Sequence, residues 1–133
     1  MVDLSCVVKP TLIVLAGGLG SILRYVLAGW VQRAGGGAFP IGTLSVNVVG
    51  CLAIGVLGAY FSGPHLVREE YRLAVLIGLL GGFTTFSSFA WETLALVNDG
   101  QHARAIVNIA LSNVLGLSAA WLGYRLGERA FGV

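Results

Sequence analysis

The stretch Gly78-Leu-Leu-Gly-Gly-Phe-Thr-Thr-Phe-Ser-Ser-Phe-Ala-Trp-Glu92 decides the fold of this chain. It lies inside an apolar run that is long enough to cross a bilayer, but residues 81–85 in its middle are poor helix material. Each of the paired glycines costs about 1 kcal/mol relative to alanine in a helix. In lipid, a broken helix must place its freed N–H and C=O groups against protein, water or an ion. The stretch therefore predicts a helix that is broken at membrane depth and carries a functional site at the break.

The composition predicts an integral membrane protein. The chain has 133 residues, of which 56% are hydrophobic and 11% are charged, and its mean hydropathy is +0.86. Soluble domains carry about 25% charged residues, so the chain lies far from the soluble average. The net charge of +2 comes without a basic run that could follow a phosphate backbone, which argues against nucleic acid as a partner.

The apolar runs predict an all-α membrane protein with four transmembrane helices in a single domain over residues 1–133. One span takes about 20 residues, and the expected spans are about 10–31, 41–61, 71–96 and 103–126. All three prolines of the chain lie at the ends of these spans. Pro10 is expected to open the first span, because a proline in the first helical turn has no intrahelical N–H bond to lose.

Small residues spaced four apart predict close contacts between helices. The pairs are Gly78 with Gly82, Gly116 with Ala120, and Gly123 with Gly127. Such contacts form either within one subunit or between subunits, and the spacing alone leaves both open. A chain this short encloses little, so a homo-oligomer, most simply a dimer, is the economical way to cover its remaining polar groups. Five basic residues lie on the side of the termini and two on the other side, which leans towards termini inside but specifies the orientation only weakly.

The polar side chains deep inside the expected spans are mostly neutral hydrogen-bond donors. The candidates for a site among them are Arg24 in the first span, Thr43 and Asn47 in the second, Thr85, Ser88 and Glu92 in the third, and Asn108 and Ser112 in the fourth. Each also has a plain structural interpretation, since Arg24 can snorkel to the interface and the others can form hydrogen bonds between helices. As a set, donors with one cation and a single carboxylate favour an anion as the cargo.

Two aromatic rings strengthen the case for an anion. Phe86 and Phe89 are three residues apart and so share one helical face. The edge of a phenyl ring is electropositive and attracts an anion, although such a pair is also common in a packed core. The carbonyls freed around residues 81–84 are acceptors instead and suit a bound cation such as Na+.

Three motifs resemble those of the Fluc (CrcB) fluoride channels. The sequence GGFTTFSSF at 81–89 is similar to the family's GGxTTFSTF signature, with Ser88 in place of the usual threonine. The sequence GTLSVNVVG at 42–50 resembles the family's second span, and GGLGSILRY at 17–25 resembles its first, with Ser21 in place of alanine. The likeness covers three spans in order.

The resemblance implies an antiparallel, dual-topology homodimer in the cell membrane, with two pores through which fluoride leaves the cytoplasm passively. The residues that it places along the fluoride pore are Thr43, Asn47, Phe86, Ser88, Phe89, Asn108 and Ser112. Arg24 matches a vestibule arginine, and the carbonyls of Gly81 and Thr84 match a structural Na+ site at the dimer interface. Asn108 is a departure, since an aromatic residue is common at its position in the family.

Two other functions compete with a fluoride channel. The first is a proton-coupled exporter of small cations, which needs a carboxylate inside the membrane, and Glu92 is its candidate. The second is a non-conducting assembly subunit, for which glycine-rich helix packing suffices. No spacing of nucleophile, base or metal ligands indicates an enzyme.

Overall fold

The computed structural model describes residues 5–63 and 66–132, with side chains from Val7 onward, and their regular secondary structure is entirely helical. The elements in chain order are α1 (Ser5–Gly35), α2 (Ile41–Ser62), α3 (Glu69–Leu73), a π-helical segment (Ala74–Leu80), α4 (Gly81–Phe83), α5 (Phe86–Asn98) and α6 (His102–Phe131). Within the described residues, four helices are long and apolar enough to cross a membrane: Val7–Gly35, Ile41–Ser62, Glu69–Asn98 and His102–Phe131. The predicted number of spanning helices is therefore matched.

The first helix begins earlier than the sequence analysis predicts. Pro10 lies inside α1 and does not open it, because Val7 and Val8 extend the apolar run toward the N-terminus. The proline loses one helical hydrogen bond there, close enough to the helix end for the helix to continue. Lys9 also ties this end of α1 to the start of the third crossing, through a 2.6 Å ion pair with Glu69.

The third crossing contains the interruption in the helical backbone. The π-helical segment and α4 run without a gap through Gly81 and Gly82 to Phe83. The backbone then becomes extended at Thr84 (φ −84°, ψ 160°) and Thr85 (φ −153°, ψ 116°). The interruption thus falls on the two threonines, and the paired glycines before it remain helical.

Gly78 and Gly82, which precede the interruption, serve close packing instead. A Cβ on Gly82 would lie 2.4 Å from the Gly17 carbonyl oxygen, and one on Gly78 would lie 2.8 Å from the Ile13 carbonyl oxygen. Both contacts are with α1, so only glycine lets the two backbones approach so closely. The Gly78/Gly82 pair therefore packs helices within one subunit.

The α2–α6 interface, which is the most extensive helix contact in the chain, is built in the same way. A Cβ on Gly123 would lie 2.2 Å from the Leu52 carbonyl oxygen, and one on Gly127 would lie 2.7 Å from the Ala59 Cβ. A Cβ on Gly55 of α2 would lie 2.1 Å from the Ala120 carbonyl oxygen. The Gly123/Gly127 pair is thus also an intrasubunit contact.

Gly55→Ala is expected to destabilise the protein by about 3 kcal/mol, the upper end of the range for overpacking, because the new methyl group meets backbone that cannot move aside. Gly58→Ala is the matched control on the same helix, since its Cβ would meet only the Tyr124 ring at 4.0 Å. Thermal unfolding in detergent measures both variants. Equal melting temperatures for the two variants would contradict this packing.

Candidate functional site

Asn47 of α2 holds the interrupted backbone of the third crossing. Its Nδ2 donates to the Thr85 carbonyl oxygen at 3.0 Å, and its Oδ1 accepts from the Thr85 backbone N–H at 2.9 Å. The side chain thus supplies both partners that a neighbouring strand would give to an extended residue. An asparagine amide has two N–H donors, so one N–H of Asn47 remains available for a further acceptor.

Thr85 also begins α5. Its hydroxyl oxygen accepts from the Ser88 backbone N–H at 3.1 Å, which is the usual N-cap bond. The hydroxyl also lies 3.0 Å from the Ser88 hydroxyl and 3.2 Å from that of Ser87. Because the N-terminus of a helix carries partial positive charge, these hydroxyls lie where a negative charge is stabilised.

Carbonyl oxygens are freed on the other side of the interruption. The Thr85 N–H, which in an unbroken helix would donate to the Gly81 carbonyl, donates to Asn47 instead. The Thr84 carbonyl lies 3.5 Å from Nη1 of Arg24, which comes from α1. Gly81 is exposed on the surface of the chain, so its freed carbonyl lies at the edge of the single subunit.

A cavity of about 350 Å³ opens beside the interruption. Asn47, Thr85, Phe86, Phe89 and Ser112 all contribute to its wall. The rings of Phe86 and Phe89 lie 5.4 Å apart between centroids, at an angle of 50°. Among the described residues, none with a charged side chain lines this cavity. The cavity therefore offers amide and hydroxyl donors and phenyl rings without a fixed charge.

Three predicted pore residues do not line this cavity. Thr43 and Asn108 lie elsewhere, and Ser88 bonds to the Thr85 hydroxyl. Thr43 donates to Oε1 of Glu92 at 2.6 Å, and both residues line a second cavity of about 360 Å³ near the α1–α2 connection. Ser88 bonds to Thr85 and is not among the residues that line the first cavity. Asn108 is 2% exposed and donates to the Thr93 hydroxyl at 2.9 Å.

Sequence reasoning missed two residues of this region. Thr93 receives the Asn108 bond and in turn donates to the Phe89 carbonyl oxygen at 2.7 Å. Gln32 donates to the carbonyls of Gly37 and Phe39 and accepts from the Gly42 N–H, which ties together the α1–α2 connection beside the second cavity. Thr93 had one available signal, since it lies four residues after Phe89 on the same face. Gln32 had none, because its partners are backbone groups of the α1–α2 connection and of the first turn of α2.

The chain matches known proteins over most of its length. A family model described as "CrcB-like protein, Camphor Resistance (CrcB)" matches residues 11–124. A protein of Geobacter metallireducens called "Fluoride-specific ion channel FluC" is 46% identical over 111 residues, which make up 84% of this chain and 90% of that protein. Proteins of the same name from Solibacter usitatus and Thermus thermophilus are 44% and 47% identical over 121 residues, covering 91% of this chain and 99% and 94% of their own lengths.

Four long apolar helices define the class, a multi-pass helical membrane protein, and its candidate site is a largely apolar cavity with a few polar groups beside an interrupted helix. Since the family model and the relatives cover most of the sequence, the chain belongs to the CrcB family. The predicted family is therefore confirmed. The relatives are named as ion channels and not as enzymes, in agreement with the prediction for this chain.

Proposed function

We propose that the protein is a fluoride-selective channel, through which fluoride leaves the cytoplasm down its electrochemical gradient. The observation that carries the proposal is the cavity in which the Asn47 amide and the Ser112 hydroxyl face the same space as Phe86 and Phe89. The names of the relatives support it, since each is a fluoride-specific channel by its name. Export lowers the toxicity of fluoride that enters as HF and dissociates inside.

The donor set explains how a small and strongly hydrated anion crosses. Selectivity in a narrow pore requires protein groups that replace the water around the ion. The free N–H of Asn47 and the Ser112 hydroxyl supply hydrogen bonds, and the edges of the two phenyl rings supply partial positive charge between them. Ser88 lies next to this set through its bond with the Thr85 hydroxyl, whereas Thr43 donates to Glu92 in the second cavity.

The proposed pore needs a second copy of the chain. Phe86 is 79% exposed in the single subunit, and the cavity that it lines is open to the surface. A second subunit is an economical way to cover an exposed ring and a groove that holds unpaired polar groups at membrane depth. An antiparallel, dual-topology homodimer fits this need, because it brings two interrupted helices together and forms two equivalent pores.

The freed carbonyls of Gly81 and Thr84 are proposed to hold a sodium ion between the two copies. Carbonyl oxygens are ligands that suit this ion, and in the described part of the chain no cluster of three His, Cys, Asp or Glu side chains competes as a metal site. When bound, the ion would supply positive charge between the two interruptions. Arg24, the proposed vestibule residue, lies 3.5 Å from the same Thr84 carbonyl oxygen, so its guanidinium has to move away from that oxygen when the ion binds.

Removal of sodium is expected to weaken the dimer. An ion that binds only the folded state stabilises it by about 2.7 kcal/mol at a hundred times its dissociation constant. The melting temperature of the purified dimer should therefore rise with NaCl concentration at constant ionic strength, with N-methylglucamine chloride as the replacement salt. A melting temperature that is independent of the sodium concentration would contradict the proposed cation site.

A proton-coupled cation exporter remains the second candidate, because Glu92 is a partly buried carboxylate and its Oε2 has no hydrogen-bond partner among the described residues. Glu92 lies in the second cavity, however, and the cavity beside the interrupted helix has no acid among its described lining residues. Growth of a fluoride-sensitive bacterium that expresses this chain separates the two candidates. Resistance to fluoride without resistance to cationic drugs supports the channel, and the reverse result supports the exporter.

A further inference from the structure

A partly buried chain of hydrogen bonds connects α6 to α5 next to the proposed pore. Asn108 of α6 is 2% exposed and donates to the Thr93 hydroxyl at 2.9 Å. The same hydroxyl donates to the Phe89 carbonyl oxygen at 2.7 Å. The chain therefore runs from one helix to the backbone of a residue that lines the cavity.

The geometry of the two helices places this pair one helical turn from the cavity wall. Because α5 and α6 are joined by a short connection and run antiparallel, one turn backward on α5 lies beside one turn forward on α6. From Thr93 and Asn108, these steps of four residues lead to Phe89 and Ser112, which both line the cavity. Asn108 itself is not among the lining residues, so its amide does not face the cavity.

We propose that Asn108 is a positioning residue, which acts through Thr93 to set the distance between Phe89 and Ser112 across the fluoride path. The inference rests on the proposed function and replaces the expectation that Asn108 contacts the ion directly. A hydrogen bond between helices fixes their separation, and a pore that replaces water around a small ion depends on such separations. The pair therefore affects the rate of fluoride passage through geometry.

Fluoride efflux per folded dimer from proteoliposomes tests the proposal. Thr93→Val keeps the shape of the side chain but removes the hydroxyl, and Asn108→Leu removes the amide. Each variant is expected to slow efflux by about three- to twentyfold, the range that corresponds to hydrogen bonds between membrane helices. The double variant should be no slower than the slower single variant, because both substitutions remove the same interaction.

Two further variants separate positioning from simple stability. Thr93→Ser keeps the hydroxyl and is expected to restore efflux to within about twofold of the wild type, since the hydrogen bond is retained. Thr11→Val is the matched control, because Thr11 makes the same bond to the carbonyl four residues earlier, at 2.7 Å, on the exposed side of α1. Its efflux should equal that of the wild type.

Three results would overturn the proposal. If Asn108→Leu slows efflux and Thr93→Val does not, Asn108 acts on the ion and not through Thr93. If the variants melt or dissociate more readily but conduct normally per folded dimer, the pair is only structural. If the wild type itself releases no fluoride, the proposed function and this inference fail together.

Discussion

Asn47→Asp is expected to slow fluoride efflux from liposomes by about a thousandfold. The substitution places a negative charge beside the path of an anion, and two unit charges 4 Å apart repel each other by about 4 kcal/mol at an effective dielectric constant of about 20. Each 1.36 kcal/mol corresponds to about a tenfold change in rate. The donor to the Thr85 carbonyl is also lost, whereas a carboxylate oxygen can still accept from the Thr85 N–H.

The retained half of this contact is the reason that the proposed dimer should still assemble. Asn98→Asp is the matched control, because it makes the same change from amide to carboxylate at the exposed end of α5. Size-exclusion chromatography checks assembly, and a fluoride electrode measures efflux. Efflux of the Asn47 variant within about threefold of the wild type would show that no charge-sensitive path passes this residue, since the repulsion is far larger.

Phe86→Ile is expected to reduce fluoride efflux to the rate of protein-free liposomes. Isoleucine keeps an apolar side chain at this exposed position but has no electropositive ring edge. The ion would then cross the space between donors without any group that replaces its water. Because Phe86 contributes little to the packing of its own subunit, being 79% exposed, the substitution should leave the fold intact.

Phe131→Ile controls for the loss of an aromatic ring as such. Phe131 packs edge-on against Tyr60 at 4.9 Å between centroids, at the end of α6 and outside the described lining of the cavity. Its efflux should match that of the wild type. Wild-type efflux from the Phe86→Ile variant, with the proposed dimer still assembled, would show that this ring does not line the fluoride path.

The number and type of the helices were predictable from the sequence, because hydrophobicity and length alone decide which segments suit a bilayer. The place of the interruption was only approximate. Helix propensity pointed to Gly81 and Gly82 as well as the threonines, yet the glycines stay helical because a carbonyl of α1 lies against Gly82. That contact joins Gly17 and Gly82, which are 65 positions apart, whereas helix propensity depends only on neighbouring residues in the sequence.

The sequence predicted which residues of the candidate site are hydrogen-bond donors, but it did not predict their hydrogen-bond partners. Asn47 was expected to be a donor, and the structure shows that Thr85, 38 residues away in sequence, takes one of its two N–H groups. The family resemblance placed Asn108 along the pore, whereas its amide bonds to Thr93. The spacing of residues along one helix shows which of them share a face. Only the packing of a neighbouring helix determines which side chains that face contacts.

Fluoride release and chloride release from proteoliposomes that contain this chain alone test the central claim most directly. If hydrogen-bond donors and ring edges beside the interrupted helix form a path that fits fluoride, the chain should release fluoride rapidly and chloride only at the protein-free rate. Equal release of both halides, or no release of either, would contradict the account.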